Sequence, residues 1–371
     1  MTDASQPDGP FPLSYCAGGW ETLRRLRRLY EDRAADQVCA VFDFPTAALE
    51  RFGRAHPAGF CEYPDLAERA RFWDEHLAER GRAGDDFLPA AYLGECDQGL
   101  YGGLLGGEVR FLSDPGTGWI SSMVPPLYAE LSEAEPLTFQ PGGTWWRRWT
   151  EQLDVFGRAG AGKFGISHLI LIDSLNFVFE LVGATKTYLA VLDDPRRVRR
   201  AVEFAFDLNV QVHEEFFRRV GLVAGGTCSN MIGWGRGRIV SESVDPFHMM
   251  SVADFEAWGR GPVERMFDHF DGGVLHIHGN GRHLLEAVAG IPSLRGIYLG
   301  DDKGYPPAFS VLAELKRRCG GVPLVVGVGY ERFVGALDRG ELLGGVQYVV
   351  GGVPGLDAAR RQMDRLRDFR P

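Results

Sequence analysis

Two histidines occupy alternate positions in the segment GGVLHIHGNG, which runs from Gly272 to Gly281. If Val274 to His278 is an extended strand, residues two apart face the same side, so His276 and His278 share one small space. Neutral imidazole suits zinc, and this spacing aims both rings in one direction, so the pair could supply two metal ligands. The alternative is that one histidine hydrogen-bonds to a neighbouring strand while the other binds the substrate directly.

A zinc site would need a third ligand, for which Cys228, Glu95 and Asp301 are the candidates. Asp301 and Asp302 are adjacent in IYLGDD, and neighbours on an extended segment face opposite sides. We therefore expect at most one of them to enter the pocket and the other to bind the loop backbone. Asp173, in LILIDSLN, lies in an apolar stretch where a lone carboxylate is costly, so it either has a function or caps a helix.

Other polar residues follow the remaining predicted strands and are expected to meet at the same end of the fold. Histidines mixed with carboxylates give the perturbed pKa values that acid-base and metal chemistry need. The expected catalytic residues are His276, His278, Asp301 and Asp173. The expected substrate-binding residues are Glu95, Asp97, His168, Cys228, Asn230, Asn280, Asp302 and Tyr330.

Strands and helices alternate most clearly in the last third of the chain. Strand-like runs are centred near Leu275, Ile297, Val325 and Tyr348, and an earlier one lies at VCAVFDFP, residues 38–45. Periodicity and capping residues predict helices at residues 20–33, 64–80, 193–220, 282–289, 307–319 and 331–343. Ser251 and Asp254 form a capping-box pattern that predicts one further helix start.

Single helices between successive strands indicate a parallel sheet covered by helices. We predict a closed (β/α)₈ TIM barrel because no GxGxxG follows an early strand and polar residues follow nearly every strand. The first 85 residues are expected to form a mainly helical N-terminal extension packed on the barrel. Residues 86–371 are expected to form the barrel itself.

Composition excludes several classes of function. A formal net charge of −10 disfavours a nucleic-acid or anionic-membrane surface, which needs clustered lysine and arginine. The 6 cysteines have no CxxC pair or framework spacing, which is typical of reduced thiols in a cytosolic protein. The N-terminus has no signal-peptide pattern and no apolar run is long enough to span a membrane, so we expect a cytoplasmic protein. The sequence is compatible with a homodimer.

Four segments together resemble the uroporphyrinogen decarboxylase superfamily: LHIHGNGRHLLE, IYLGDD, LDDPRRVRRAVEFA and MMSVADFEAWGRGPVERMF. The resemblance covers about residues 85 to 371. It implies a (β/α)₈ barrel and either a tetrapyrrole decarboxylase or a corrinoid-linked methyltransferase. The chain lacks the arginine-bearing glycine-rich signature and the GHGI-like motif of true uroporphyrinogen decarboxylases, which favours the methyltransferase branch.

Corrinoid-dependent methyltransferases of this superfamily carry H-x-C at the strand that matches LHIHG, and a later cysteine, to bind zinc. Here His276 matches the first ligand, His278 replaces the cysteine, and VVGGVPG lacks the later one. Imidazole donors without a thiolate would leave a metal more Lewis acidic. We therefore interpret the histidines as the polar centre of a divergent pocket, with zinc as the alternative.

Three functional hypotheses follow. In the first, a small methylated substrate passes its methyl group to a corrinoid protein or a thiol, with His276 and His278 holding a metal or polarising the substrate. In the second, a cofactor-free decarboxylase or lyase holds a carboxylated substrate with arginines such as Arg236, Arg238 or Arg282. In the third, the barrel binds a ligand without catalysis.

Overall fold

The computed structural model describes residues 9–16, 18–57, 59–96, 98–139 and 141–371. The chain is an α/β protein. Its strands are β1 (Val38–Phe42), β2 (Gly59–Cys61), β3 (Ala90–Tyr92), β4 (Arg110–Asp114), β5 (Trp119–Met123), β6 (Gly165–Ser167), β7 (Ile170–Leu171), β8 (Gly226–Ser229), β9 (Gly233–Arg236), β10 (Val240–Ser243), β11 (Gly273–Ile277), β12 (Leu294–Leu299), β13 (Leu324–Gly329) and β14 (Val346–Gly351).

The helices surround these strands. They are α1 (Gly19–Tyr30), α2 (Ala47–Ala55), α3 (Leu66–Arg80), α4 (Gln98–Leu104), α5 (Thr144–Gly160), α6 (Ser174–Val182), α7 (Ala184–Asp193), α8 (Pro195–Val220), α9 (Val252–Trp258), α10 (Arg260–His269), α11 (Leu285–Ala289), α12 (Leu312–Cys319), α13 (Tyr330–Asp338) and α14 (Leu356–Asp368). In the described residues no single helix has both the length and the apolar composition of a membrane span. Among the helices that the structure describes, the pair α6 and α7, with a bend of 114° between them, reaches those limits only when taken together.

Seven strands form one sheet in the order β1-β14-β13-β12-β11-β10-β7, and every pair in it is parallel. Parallel pairing brings the carboxyl ends of these strands to one edge, where the loops that follow them meet. The register places Ser243 of β10 opposite His276 of β11, and His276 opposite Tyr298 of β12. These three residues therefore lie side by side at that edge.

A second sheet, in the order β3-β6-β8-β9, continues from the first. Only two residues separate β6 from β7, so one extended stretch passes from the second sheet into the first. At the opposite edge, Asp86 accepts a hydrogen bond from Ala40 N (2.9 Å) and Asp85 accepts one from Phe42 N (2.8 Å). Beside β1 these two side-chain bonds accompany a backbone bond from Asp86 N to Ala40 O at 3.0 Å, and within the described residues no closed barrel is detected. The prediction of a barrel is therefore confirmed as far as an α/β fold with a large parallel sheet.

The two faces of the seven-stranded sheet pack against different partners. The inner face is the side of the sheet on which Cys39, Val274 and Val325 pack against α1 and against the loop residues around β9. The outer face carries Ala40, Leu275 and their neighbours and packs against the surrounding helices. Because successive side chains alternate between the faces, every position of these strands can be assigned to one of them.

Several local predictions are confirmed. The capping box at Ser251 is present, Asp194 caps α8 by accepting from Arg197 N, and the four late strands lie where the apolar runs predicted them. The segment at residues 38–45 contains β1, which pairs with β14 in the main sheet. The first 85 residues therefore supply a strand as well as helices, while the proposed domain border at residue 85 stays a prediction.

Candidate metal centre

His276 and His278 face the same side of the sheet, as their spacing predicts. They continue the inner-face series that begins at Val274, and their ring centroids are 4.4 Å apart. Both side chains are partly exposed, because they lie where β11 reaches the open edge and gives way to its loop. The expectation of two imidazoles in one small space is confirmed.

Asp245 completes a group of three donors. It follows β10 in a 3-10 turn, Asp245–Met249, and β10 is the neighbour of β11. One ligand atom from each of Asp245, His276 and His278 lies within 4.8 Å of the other two. The Oδ1 atom of Asp245 is buried and has no hydrogen-bond partner in the described residues, so its lone pairs are available.

Asp302 fixes the orientation of His278. The Nδ1 of His278 donates to Asp302 Oδ1 at 2.9 Å, which leaves the His278 Nε2 lone pair directed towards Asp245 Oδ1, 3.9 Å away. The other oxygen of Asp302 accepts from Gly279 N at 2.8 Å. Burial tends to raise the pKa of Asp302, but the hydrogen bond from His278 and the backbone donors that follow it hold this pKa below its ordinary value.

His248 lies behind the group, with its Nδ1 atom 3.5 Å from Asp245 Oδ1. Burial, opposed by the charge of Asp245, lowers the pKa of His248 to about 4, and burial next to His278 lowers that of His276 to about 4. Both imidazoles are therefore neutral at physiological pH. Neutral imidazole is the form that binds a metal ion.

Gly300 has no side chain, and this leaves room for the two imidazoles. A Cβ at this position would be 2.9 Å from His276 Nε2, closer than real Cβ contacts, and 3.1 Å from His278 Nδ1, tighter than most of them. Two imidazoles and one carboxylate, with a carboxylate behind one imidazole, form a donor set that proteins use for catalytic zinc and for ferrous iron. The residues present thus fit a divalent metal ion.

Asp301, expected to be catalytic, has a different set of contacts from Asp302. Its Oδ1 accepts from Ala308 N at 2.7 Å and from Arg282 at 3.2 Å, so it organises the loop that follows β12. The expected division of labour between the two aspartates is present, and Asp302 is the one beside a histidine. Asn280 lies next to this group, and Tyr330 accepts a hydrogen bond from Gln362 at the start of α13.

Asp173 and Glu95 are buried away from the histidines. Asp173 faces Glu242, which lies on the outer face of β10 because its neighbour Ser243 is the residue opposite His276. Glu95 is ion-paired with the buried Arg69 and accepts from Gln152 Nε2 at 2.8 Å. Asp97 lies outside the described residues.

His168 and Cys228 belong to the second sheet and its junction with the first. His168 donates to the Cys228 carbonyl (3.2 Å) and accepts from Ser241 Oγ (2.7 Å), and burial lowers its pKa to about 3. Burial raises the pKa of the Cys228 thiol to about 12, so a thiolate does not form there at neutral pH. Asn230 is exposed, and its N–H donates to Ser167.

Sequence reasoning missed Asp245, His248 and Tyr298 as members of the site. Tyr298 lies opposite His276 with ring centroids 5.3 Å apart. The signals that could have found them are Asp-Pro after a short polar strand, in SESVDPF, and the alternation of faces in IYLGDD. A cleft of about 570 Å³ between α2 and α3 contains none of these residues.

The fold is similar to that of a methyltransferase from Methanosarcina mazei. The TM-score is 0.59 and the sequence identity 14%, and the match covers 94% of this chain and 98% of that chain. At this identity the likeness establishes the fold alone. No family model matches the chain, and no curated protein matches it by sequence. Membership of the uroporphyrinogen decarboxylase superfamily therefore stays a prediction.

Proposed function

We propose that this chain is a metal-dependent methyltransferase whose centre is formed by Asp245, His276 and His278. The observation that carries the proposal is the convergence of these three donors within 4.8 Å, with Asp302 hydrogen-bonded to His278. The likeness to a methyltransferase fold supports an enzyme of this general class.

The further proposal that β3 and β6 complete a (β/α)₈ barrel rests on the side-chain bonds between β1 and Asp85 and Asp86.

The reaction we propose moves a methyl group between a small substrate and a corrinoid protein or a thiol. The bond from the methyl carbon to its donor atom breaks, the donor keeps the electron pair, and the acceptor nucleophile forms the new bond. A divalent metal ion, zinc as the first expectation, would supply Lewis acidity to the heteroatom of the substrate or acceptor. Asp302 keeps His278 in the tautomer that offers Nε2 to the ion.

Tyr298 supplies a phenol hydroxyl beside this centre. Burial, with the charges of Asp43 and Asp301, raises its pKa, so the phenol stays protonated at neutral pH. The centroids of the Tyr298 and His276 rings are 5.3 Å apart, so the neutral phenol can donate a hydrogen bond to a group bound at the metal centre. We therefore assign Tyr298 a role in orienting the substrate.

The decarboxylase alternative has less support from the arginines. A carboxylated substrate needs cationic partners at the strand ends, but Arg236 pairs with Glu31 and Arg238 pairs with Glu214, each at 3.0 Å. Arg282, which does lie near the centre, is bound to Asp301. No arginine of the original three is thus left free for a substrate carboxylate.

Elemental analysis of protein purified without a histidine tag tests the metal centre. We expect about one zinc per chain after zinc loading, and loss of most of it in His276→Ala, His278→Ala and Asp245→Ala. His269→Ala, which removes an exposed histidine paired with Glu214, is the matched control and should retain the metal. Full occupancy in the three site variants would refute the centre.

Methyl transfer is tested separately in the direction from the corrinoid to a small substrate, with methylcobalamin as a stand-in for a corrinoid protein and 2-mercaptoethanol as the small substrate that accepts the methyl group. We expect zinc-loaded protein to form the methyl thioether and His276→Ala to lose at least 10-fold in rate. Turnover of a carboxylate substrate with release of carbon dioxide, in the absence of any corrinoid, would instead establish the decarboxylase.

A further inference from the structure

Asp43 lies at the open edge of the inner face, a position that the metal centre does not use. In β1, Cys39 belongs to the inner-face core, whereas Ala40 and Phe42 pack on the outer side, where Phe42 meets Phe333 of α13 with ring centroids 5.5 Å apart. Alternation therefore turns Val41 and Asp43 inward. Asp43 is the first residue after β1 and reaches the same edge as His276.

The Asp43 carboxylate has no hydrogen bond or ion pair with any other described residue. Arg80, whose charge lowers the pKa of Asp43, instead donates two hydrogen bonds to Asp85, at 3.2 and 2.7 Å. The Asp43 side chain is exposed to solvent, and desolvation nevertheless raises its pKa against the opposing charge of Arg80. The structure thus leaves one solvent-accessible carboxylate at this edge without a hydrogen-bond or ion-pair partner among the described residues.

A strip without side chains lies beside Asp43. Val325 and Val349 are on the inner face, so Gly327 and Gly329 of β13 and Gly351 of β14 are on it too. A Cβ at any of these three glycines would meet no described atom within 4 Å. The two strands between β1 and β12 therefore leave room for a ligand at the open edge.

Tyr298 and the histidines form the far side of this strip. Tyr298 packs against the inner-face core and lies on β12, the strand paired with β13. The inner positions of the seven strands, all of whose residues the structure describes, carry no lysine or arginine. We call the space bounded by Asp43, the three glycines and Tyr298 the glycine slot.

We propose that the glycine slot binds the substrate and that this substrate is a small organic cation, a methylated ammonium compound. Its positive charge would lie against Asp43 and the face of Tyr298, since a carboxylate and an aromatic ring together attract a poorly hydrated cation. This inference rests on the proposed methyl transfer for its chemistry, because Tyr298, at one end of the slot, lies beside His276. The binding itself does not depend on a metal ion.

Isothermal titration calorimetry at constant ionic strength tests the proposal with tetramethylammonium chloride as the probe. Neutral tert-butanol and sodium acetate are the comparison ligands. We expect saturable binding of tetramethylammonium and at least 10-fold weaker binding of either comparison ligand. Asp43→Asn should weaken tetramethylammonium binding at least 10-fold, whereas Asp268→Asn, an exposed aspartate on α10, should leave it unchanged.

Gly327→Val provides a second variant that does not alter charge. Valine favours a strand and would occupy the slot, so we expect loss of tetramethylammonium binding with a melting temperature close to that of the wild type. Equal binding by wild type and Asp43→Asn, or preferential binding of acetate, would overturn the proposal. The calorimetry is run with and without zinc, so that loss of metal binding with intact cation binding refutes only the metal centre.

Discussion

Asp302 binds His278 through one carboxylate oxygen and the Gly279 N–H through the other, at 2.9 and 2.8 Å. The two bonds fix the carboxylate, and the fixed carboxylate determines which nitrogen of His278 carries the proton. Asp301, its neighbour in sequence, instead binds Ala308 N and Arg282. The orientation of a candidate metal ligand therefore depends on one aspartate of an adjacent pair.

Replacing Asp302 should weaken metal binding without abolishing it. Loss of an outer-shell carboxylate typically costs about 10–100-fold in metal affinity, and we expect Asp302→Ala to fall in that range. Competition with a chromogenic zinc chelator measures the change. Asp301→Ala is the matched control and should alter zinc affinity by less than about 3-fold; equal losses in both variants would contradict the assignment.

Gly300 offers a test that removes no functional group. In Gly300→Ala the new methyl group must displace His276, whose Nε2 would lie 2.9 Å from the ideal Cβ. Such a displacement should weaken zinc affinity at least 10-fold, since ligands must converge on one ion. Gly321→Ala, at an exposed glycine whose Cβ would meet no described atom, should retain wild-type affinity. Wild-type affinity in Gly300→Ala would show that the ligands lie elsewhere.

The sequence predicted the positions of the helices and strands better than it predicted which side of the sheet each residue faces. The late strands contain continuous apolar runs bounded by glycine and helical patterns, so periodicity finds them. By contrast, β10 reads Val-Ser-Glu-Ser, with serines inward and a buried glutamate outward, and lacks the apolar pattern that identifies a strand. Asp245 follows that strand, which is why the third donor could not be predicted together with His276.

The burial of charged residues also could not be predicted from the sequence. Glu95 follows a strand, as a substrate ligand in this fold class would, yet its carboxylate lies in the core against Arg69. Similarly, the adjacent acids Asp85 and Asp86 bind the backbone of β1. In each case the partner is distant in sequence, so local pattern carries no information about it.

The Arg69 and Glu95 pair should matter for stability and not for the metal centre. Arg69 also lies 4.6 Å from the centre of the Phe72 ring, and neither charged side chain reaches solvent. Glu95→Gln leaves a buried guanidinium without its counter-charge, which typically costs about 3–5 kcal/mol in the free energy of unfolding. Chemical denaturation measures this loss, with zinc content unchanged.

The control for that variant is Glu21→Gln. Glu21 pairs with Arg24 at 2.7 Å on the exposed surface of α1, where an ion pair contributes at most about 1 kcal/mol. A comparable loss of stability in both variants would contradict a special role for burial. Loss of zinc in Glu95→Gln with intact stability would return Glu95 to the functional site.

Asp173 and Glu242 predict an unusual pH dependence of stability. Both carboxyls are buried, and none of their four oxygens accepts a hydrogen bond from a cation or a backbone N–H in the described part of the chain. Burial raises both pKa values, and the charge of Asp173 raises that of Glu242 further. The folded pair therefore holds a proton at neutral pH, whereas both groups ionise in the unfolded chain above pH of about 4.3.

The folded state binds more protons than the unfolded state in this window, so this pair's contribution to stability falls as the pH rises above about 4.3. One retained proton corresponds to about 1.4 kcal/mol per pH unit. In Asp173→Asn the amide N–H can donate to Glu242 without a titrating proton, so the free energy of unfolding should decline less steeply between pH 5 and 8 than in the wild type. Urea denaturation across that range measures both slopes, and equal slopes would mean that the pair does not share a proton.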